Sequence, residues 1–226
     1  MQNFHIVKSS DIEKTYRVAR IMGDFDVKTE HTTETFSGEM QFPDKWQIGC
    51  IVGASGTGKT TIAKELFVDS YIKGFSFTHK SVIDDMPENC SVDEIEKVFY
   101  AVGFGSVPSW LKSFNVLSNG EKMRVELARA LLEKDIICFD EFTSVVDRNV
   151  AETICIAIRK CLKHYPKKKF IAVTCHYDIL QWLQPQWVFD TNKMCNSFGI
   201  AHNQTKDFMS KVVGEKNGRY LGDIII

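Results

Sequence analysis

No apolar stretch of the 226-residue chain approaches the roughly 20 residues that a membrane-crossing helix needs, which excludes insertion by such a span. The first residues, Met1-Gln-Asn-Phe-His, lack a basic segment followed by an apolar one, so no signal peptide is expected. Neither sign of charge dominates. The 28 Lys plus Arg stand against 29 Asp plus Glu, and net charge offers no argument for a polyanion or a lipid surface as partner. The seven cysteines contain no Cys-x-x-Cys pair, which argues against the common zinc and redox spacings. An odd number of thiols, several inside apolar runs, predicts reduced and mostly buried cysteines in a cytoplasmic protein. Internal repeats, low-complexity tracts and long Pro/Gly/Ser linkers are also missing, so a single domain is expected.

What remains is an ordinary globular composition, 44% hydrophobic and 25% charged, in a chain long enough for one α/β domain with a substantial core. The segment up to about Val27, including Tyr16-Arg-Val-Ala-Arg-Ile21, suits strands of a small antiparallel sheet, and the polar stretch 28–35 suits a loop. Trp46 to Val52 predicts a strand running directly into glycines. Thr60 to Ile72 predicts a helix, with Ile62, Leu66 and Phe67 on one side. Phe75–Thr78 and Ser81–Ile83 are strand candidates. Ser91-x-x-Glu94 is a capping box ahead of Val92, Ile95, Val98 and Val102 at helical spacing. Gly105 and Pro108 break 103–114 into loop or short turns. A helix follows from Ser118 to about Glu133, then a buried strand over Ile136–Phe139. Val150, Ile154, Ala157, Cys161 and Leu162 mark another helix, and Phe170–Thr174 and Gln186–Phe189 two more strands. This alternation predicts an α/β fold with a mostly parallel sheet flanked by helices.

Chemistry concentrates in five places. Gly53-Ala54-Ser55-Gly56-Thr57-Gly58-Lys59-Thr60, followed by Thr61, is a complete phosphate-binding loop between a strand and a helix. Its glycines let backbone N–H groups turn toward an anion at a helix start, Lys59 adds a point charge, and the Thr60 hydroxyl suits Mg²⁺. Asp140-Glu141 ends an apolar strand, where a parallel sheet binds its ligands. Asp140 there would hold the Mg²⁺ shell through water, and Glu141 would orient and deprotonate an attacking water. Ser118-Asn119-Gly120-Glu121 opens a helix and is also a capping box. Asp147 suits a helix N-cap, and His176 follows the apolar run Phe170 to Cys175.

In this order the motifs resemble the ATP-binding cassette (ABC) ATPase family, over roughly Phe25 to Phe189. The resemblance implies a P-loop NTPase fold with an N-terminal antiparallel β subdomain, Mg²⁺ as cofactor and ATP as substrate. Leu117-Ser-Asn-Gly-Glu121 resembles the family signature, with Asn119 in place of a glycine and Glu121 in place of a glutamine. It implies that Ser118 and Gly120 meet the γ-phosphate held by a second copy, in a nucleotide-dependent homodimer. Ser144-Val-Val-Asp147 resembles the D-loop, His176 the switch histidine, and Phe25 stands where the adenine-stacking aromatic is expected. Along the chain, 1–50 would hold the antiparallel part and first core strand, 51–80 the phosphate loop and its helix, and 81–134 a short helical part with the signature helix. Residues 135–199 would complete the core, and 200–226 carry no assigned role.

Departures qualify the resemblance. At the Q-loop position the chain reads Ser81-Val-Ile-Asp84-Asp85-Met-Pro87, with no glutamine. The stretch from Lys59 to Ser118 is short, which predicts a reduced helical subdomain. Small bacterial and phage ABC ATPases share this look, some of them fused to an acetyltransferase for which this chain has no room. A soluble, cytoplasmic ATPase acting on a separate effector protein or a nucleic acid is therefore expected. The basic run from Arg159 to Lys169 reads first as a solvated helix end, whose cations complement the helix dipole, with a nucleic-acid patch as the sharper alternative. The ATP-binding subunit of a membrane transporter and a P-loop small-molecule kinase stand as alternatives.

Overall fold

A computed structural model describes residues 1–13, 15–27 and 31–198. The expectations for 14, 28–30 and the tail 199–226 lie outside these described residues. The chain runs β1 (Gln2–Asp11), α1 (Tyr16–Asp24), β2 (His31–Met40), β3 (Ile48–Val52), α2 (Lys59–Leu66) and β4 (Tyr71–Ile72). It continues through α3 (Val92–Ala101), α4 (Val107–Trp110), α5 (Asn119–Glu133), β5 (Ile136–Phe139), α6 (Arg148–His164) and β6 (Lys169–Thr174). The last described elements are α7 (Ile179–Leu183), β7 (Trp187–Asp190) and β8 (Cys195–Phe198).

The main sheet has strand order β4-β5-β6-β3-β7-β8; every neighbouring pair is parallel except β7 and β8. This is the predicted α/β P-loop fold, a mostly parallel sheet with flanking helices. β3 is buried at every position because both its faces are covered. Cys50 and Val52 join a core with Phe139, Phe170 and residues of α3, α5, α6 and α7. Ile51 points the other way, to a core with Ile62 and Ala63 of α2 and Phe4 and Phe36 of the hairpin. That hairpin is a separate antiparallel pair, in register from Gln2↔Met40 to Asp11↔His31.

Several local expectations are corrected. Tyr16–Asp24 is a helix, not a strand. The Thr15 hydroxyl accepts from Val18 N at 3.3 Å as its N-cap, and Arg20 pairs with Asp24 one turn on at 3.6 Å. No residue of α1 is buried, so no core-facing stripe marked it in the sequence. The polar stretch after residue 30 is the start of β2. Its threonines suit a pleated surface, and β1 supplies the pairing. Phe75–Thr78 and Ser81–Ile83 are not strands. The Thr78 and His79 N–H groups donate to Asp85 Oδ1 at 2.9 and 3.2 Å, and Val82 and Ile83 donate to the carbonyls of Lys112 and Trp110. Their backbone donors are thereby spent on a turn rather than a ladder. The helix expected over 60–72 stops at Leu66, and the chain turns into β4.

Four of the cysteines, Cys50, Cys138, Cys155 and Cys161, are buried; Cys90 is half-buried, Cys175 and Cys195 are exposed, and all are free. No helix among the described residues is long and apolar enough to cross a membrane.

Candidate functional site: a phosphate cleft at the sheet edge

The phosphate loop leaves β3 at its carboxyl end and enters α2 through Gly58, the helix N-cap. Gly58 has φ +85°, and a Cβ there would lie 2.4 Å from the Phe36 ring, so both conformation and space require glycine. The loop opens on a cleft of about 230 Å³. Ser55, Gly56, Gly58, Lys59, Thr60, Thr61 and Glu141 line it, joined by Lys8, Glu34 and Phe36 of the hairpin. Gly53, Ala54 and Thr57 are not part of the cleft wall and lie against the turn after β7. The Lys59 side chain folds back and donates from Nζ to the Ala54 carbonyl at 2.7 Å.

Asp140 stands at the end of β5 beside this loop. Thr60 Oγ1 donates to its Oδ2 at 2.8 Å, and the Glu141 N–H donates to its Oδ1 at 2.9 Å. Tyr71 of β4 also donates to Oδ2. Burial first, and then the hydrogen bond and charge of Asp140, push the Tyr71 hydroxyl well above its ordinary pKa, so it stays a donor. One hydroxyl and one carboxylate form a hard oxygen pair, the donor set that suits Mg²⁺ when phosphate and water complete the shell. Among the described residues no cluster of three His, Cys, Asp or Glu side chains forms a self-contained metal cage.

Glu141 (φ +50°) and Thr143 (φ +67°) both adopt left-handed backbone, a strained pair flanking the buried Phe142. Ser144 Oγ donates to Glu141 Oε2 at 2.6 Å, which ties the exposed carboxylate to the turn that leads into α6. Asp147 then caps α6, accepting from Asn149 N and Val150 N at 3.0 Å each. The next residue, Arg148, makes a bidentate pair with Asp178 (Nε–Oδ2 2.7 Å, Nη2–Oδ1 2.5 Å), two residues beyond His176. His176 is half-buried. Burial, then the nearby Arg148 cation, hold its imidazole below the usual pKa, so it is neutral at neutral pH.

The signature residues sit elsewhere. Ser118 caps α5, and the full box is formed: Glu121 N donates to Ser118 Oγ at 3.3 Å, and Ser118 N donates to Glu121 Oε2 at 2.9 Å. Ser109 of α4 donates to the other Glu121 oxygen at 2.7 Å. That bond, with those from Ser118, keeps the Glu121 carboxyl below its ordinary pKa. Asn119 is exposed, and Gly120 lies against Val150 of α6. None of Ser118, Asn119, Gly120 and Glu121 lines the phosphate cleft.

Three expected residues are placed away from the cleft. Phe25, at the C-cap of α1, is 73% exposed and is not part of the cleft wall. Asp85 is buried and clamps the Thr78–His79 turn, also accepting from His79 Nδ1 at 2.8 Å. Burial raises its pKa, but these hydrogen bonds outweigh that and hold it low. Asp84 accepts from Ser81. Within the basic run, Lys168 is tied to the Lys134 carbonyl at 2.9 Å and Lys169 sits 4.5 Å over the Trp46 ring, so part of that charge serves the fold. Sequence reasoning missed Tyr71, Lys8, Glu34, Phe36, Thr191 and Asn192. Only the last two carried a signal, a polar turn directly after a buried strand.

A family model described as ATPase family associated with various cellular activities (AAA) matches residues 49–184, from β3 through α7. The chain belongs to that ATPase family. A Bacillus subtilis (strain 168) protein described as "Probable peptide export ATP-binding protein YydI" is 26% identical over 147 residues, covering 57% of this chain and 70% of that protein. Two solved structures share the fold of this ATPase. One is a bacterial Atm1-family ABC exporter with ATP bound (TM-score 0.57, 16% identity, 76% of this chain). The chain spans only 37% of that exporter's length. The other, assigned to the metal-chelate type of ABC transporter, is in an inward-facing conformation (TM-score 0.55, 18% identity, 73% of this chain and 76% of its own). The chain is thus a member of an ATPase family, and the relative and the fold neighbours it resembles are ABC proteins.

Proposed function

We propose that the chain hydrolyses Mg²⁺-ATP in a site shared by two copies and uses the cycle to drive a separate partner. The observation that carries this reading is a separation. Lys59, Thr60 and Glu141 line one cleft with Asp140 bonded to Thr60, whereas Ser118 opens a helix that lines no part of it. A second copy placed head-to-tail would bring its Ser118 and Gly120 to the first copy's nucleotide, in C2 pairing with two equivalent sites. The positive end of α5, capped by Ser118, would then face the γ-phosphate.

In this site the phosphates lie along the N–H groups of 55–61, and Lys59 leaves the Ala54 carbonyl for the β- and γ-phosphates. Thr60 and Asp140 hold the Mg²⁺ shell, and the ion, when bound, neutralises charge developing on the phosphate oxygens. Glu141 accepts a proton from the attacking water, and neutral His176 donates a hydrogen bond toward the γ-phosphate. ATP favours the closed pair because it touches both halves, and loss of the γ-phosphate removes the bridge. The partner is an effector protein or a nucleic acid in the cytoplasm, with no insertion into a membrane by the chain itself. Asp84 and Asp85 serve the local turn, and Phe25 meets adenine only in the nucleotide-bound state.

A second reading, the ATP-binding subunit of a transporter, is favoured by the Bacillus subtilis relative. Glu141→Gln with ATP decides the central point. Light scattering should show a stable two-copy species with ATP and single chains with ADP. Single chains under both conditions would sink the shared site. If the trapped species co-purifies with integral membrane proteins, the second reading replaces the first.

A further inference from the structure

The turn Asp190-Thr191-Asn192 after β7 belongs to none of the motifs above, yet it holds the back of the phosphate loop. Asn192 Oδ1 accepts from the Ala54 N–H at 3.2 Å. Its amide nitrogen donates to the Tyr177 hydroxyl at 2.8 Å, and its backbone N–H donates to Asp190 Oδ1 at 2.9 Å. Tyr177 in turn donates to Asp190 Oδ2 at 3.0 Å, and Asp190 is 2% exposed. Beside this chain of bonds, the Thr191 and Thr57 hydroxyls lie 2.6 Å apart, and Thr191 Oγ1 is 3.1 Å from the Val52 carbonyl. The fit is close: a Cβ on Gly53 would lie 2.0 Å from Thr191 Oγ1. Ala54 is the hub. Its N–H is held by Asn192, while its carbonyl accepts both Lys59 Nζ at 2.7 Å and Thr57 Oγ1 at 2.8 Å.

We propose that Asn192 is a positioning residue for nucleotide binding: it fixes Ala54, the resting dock of Lys59, and ties that dock through Tyr177 to the segment carrying His176. Phosphate must displace the Lys59 ammonium from Ala54. A carbonyl held in one orientation keeps the ammonium next to the phosphate position, so little reorganisation accompanies binding. Tyr177 follows His176 in the chain, so a shift of the switch segment reaches the phosphate loop through two side-chain hydrogen bonds. The positioning rests on ATP binding by the family. The link to the switch segment rests in addition on the proposed role of His176.

The test is a double-mutant cycle on ATP and ADP affinity, read by fluorescence titration with methylanthraniloyl nucleotides. Asn192 is exposed, so Asn192→Ala should leave the melting temperature of the nucleotide-free protein within a few degrees. It should weaken both nucleotides about tenfold, the size of one well-placed hydrogen bond. Tyr177→Phe should weaken them by a smaller factor in the wild-type background and by none in the Asn192→Ala background. Unchanged affinity in Asn192→Ala overturns the proposal. So does an affinity loss matched by a drop in melting temperature, and so do fully additive effects of the two substitutions. The wild-type titration in the same series tests ATP binding itself, so failure of that premise is seen separately.

Discussion

Tyr71 and Thr60 share one oxygen of Asp140: both hydroxyls donate to Oδ2, from β4 on one side and from α2 on the other. With Glu141 N on Oδ1, the carboxylate is fixed at both oxygens before any metal arrives. Tyr71→Phe keeps the ring under Lys64 and removes one of the three donors. The carboxylate then swings more freely, and Mg²⁺ retention should weaken by roughly threefold to tenfold, in keeping with loss of one hydrogen bond to a charged group. Mn²⁺ titration by electron paramagnetic resonance in the presence of ADP reads this directly. Metal-free nucleotide affinity should not change, and an equal loss with and without metal would show that Tyr71 acts on the phosphate loop instead.

Glu121 stands where the ABC resemblance implies a glutamine, and the structure gives it work that does not depend on a second copy. It closes the α5 capping box and accepts from Ser109 of α4, pinning the short helical segment to the signature helix. Glu121→Ala should cost about 1–2 kcal/mol. The folded-state pKa is depressed, so the charge-dependent part of this stability is present above the unfolded value of about 4.3 and disappears as pH falls through the folded pKa. The difference in denaturation midpoint between wild type and Glu121→Gln should therefore shrink in acid. A gap that widens below pH 4 would contradict the assignment.

Features written in contiguous residues were legible, and features closed over long separations were not. The phosphate loop, the two capping boxes at Ser91 and Ser118 and the buried strands need only neighbours a few positions apart, so glycine spacing and hydrophobic runs revealed them. Helix α1 was missed because none of its residues is buried, leaving no core-facing stripe and only the Thr15 cap as a signal. The strand β8 is short and half-polar, and it exists through antiparallel pairing with β7. Tyr71 meets Asp140 across 69 residues and Asn192 meets Ala54 across 138, distances at which no local pattern operates. The role of Asp85 in its turn was hidden for a related reason. Its partners include the backbone N–H groups of Thr78 and His79, which no residue pattern around Asp85 announces.

Arg148 and Asp178 bracket His176 with opposite charges, and this gives a pH prediction with a definite sign. Burial and Arg148 lower the imidazole pKa, while Asp178 and Glu141 raise it. Arg148→Gln removes the lowering charge and leaves Asp178 unpaired, so the pKa should rise toward or above the ordinary value of about 6.5. Asp178→Asn should lower it further. Titration of the His176 ring proton by NMR, with His176→Gln to assign the signal, reads both shifts. In the wild-type protein this group stays uncharged in the folded state as pH drops below 6.5, so stability should decline there and His176→Gln should decline less. Shifts of the same sign in both variants would mean that the pair acts through geometry rather than charge.

A site divided between two copies makes a demand that no single-chain site makes: two inactive variants should restore each other. Ser118→Arg places a bulky cation at the start of α5 and spoils what that chain offers its partner, while its own cleft, with Lys59, Thr60 and Glu141, stays intact. Glu141→Gln does the reverse. In a head-to-tail pair of one chain of each kind, the intact cleft of the first faces the intact signature of the second. One of the two sites is then wild type. With random pairing half of the pairs are mixed, so an equal mixture should recover about a quarter of wild-type ATP hydrolysis, set by the two equivalent sites of a C2 pair. The Ser118→Arg chain should lose hydrolysis alone while keeping its nucleotide affinity. Phosphate release measured across mixing ratios should peak near equal amounts. A mixture no more active than its components would place the whole reaction within one chain and leave the α5 cap a purely structural feature.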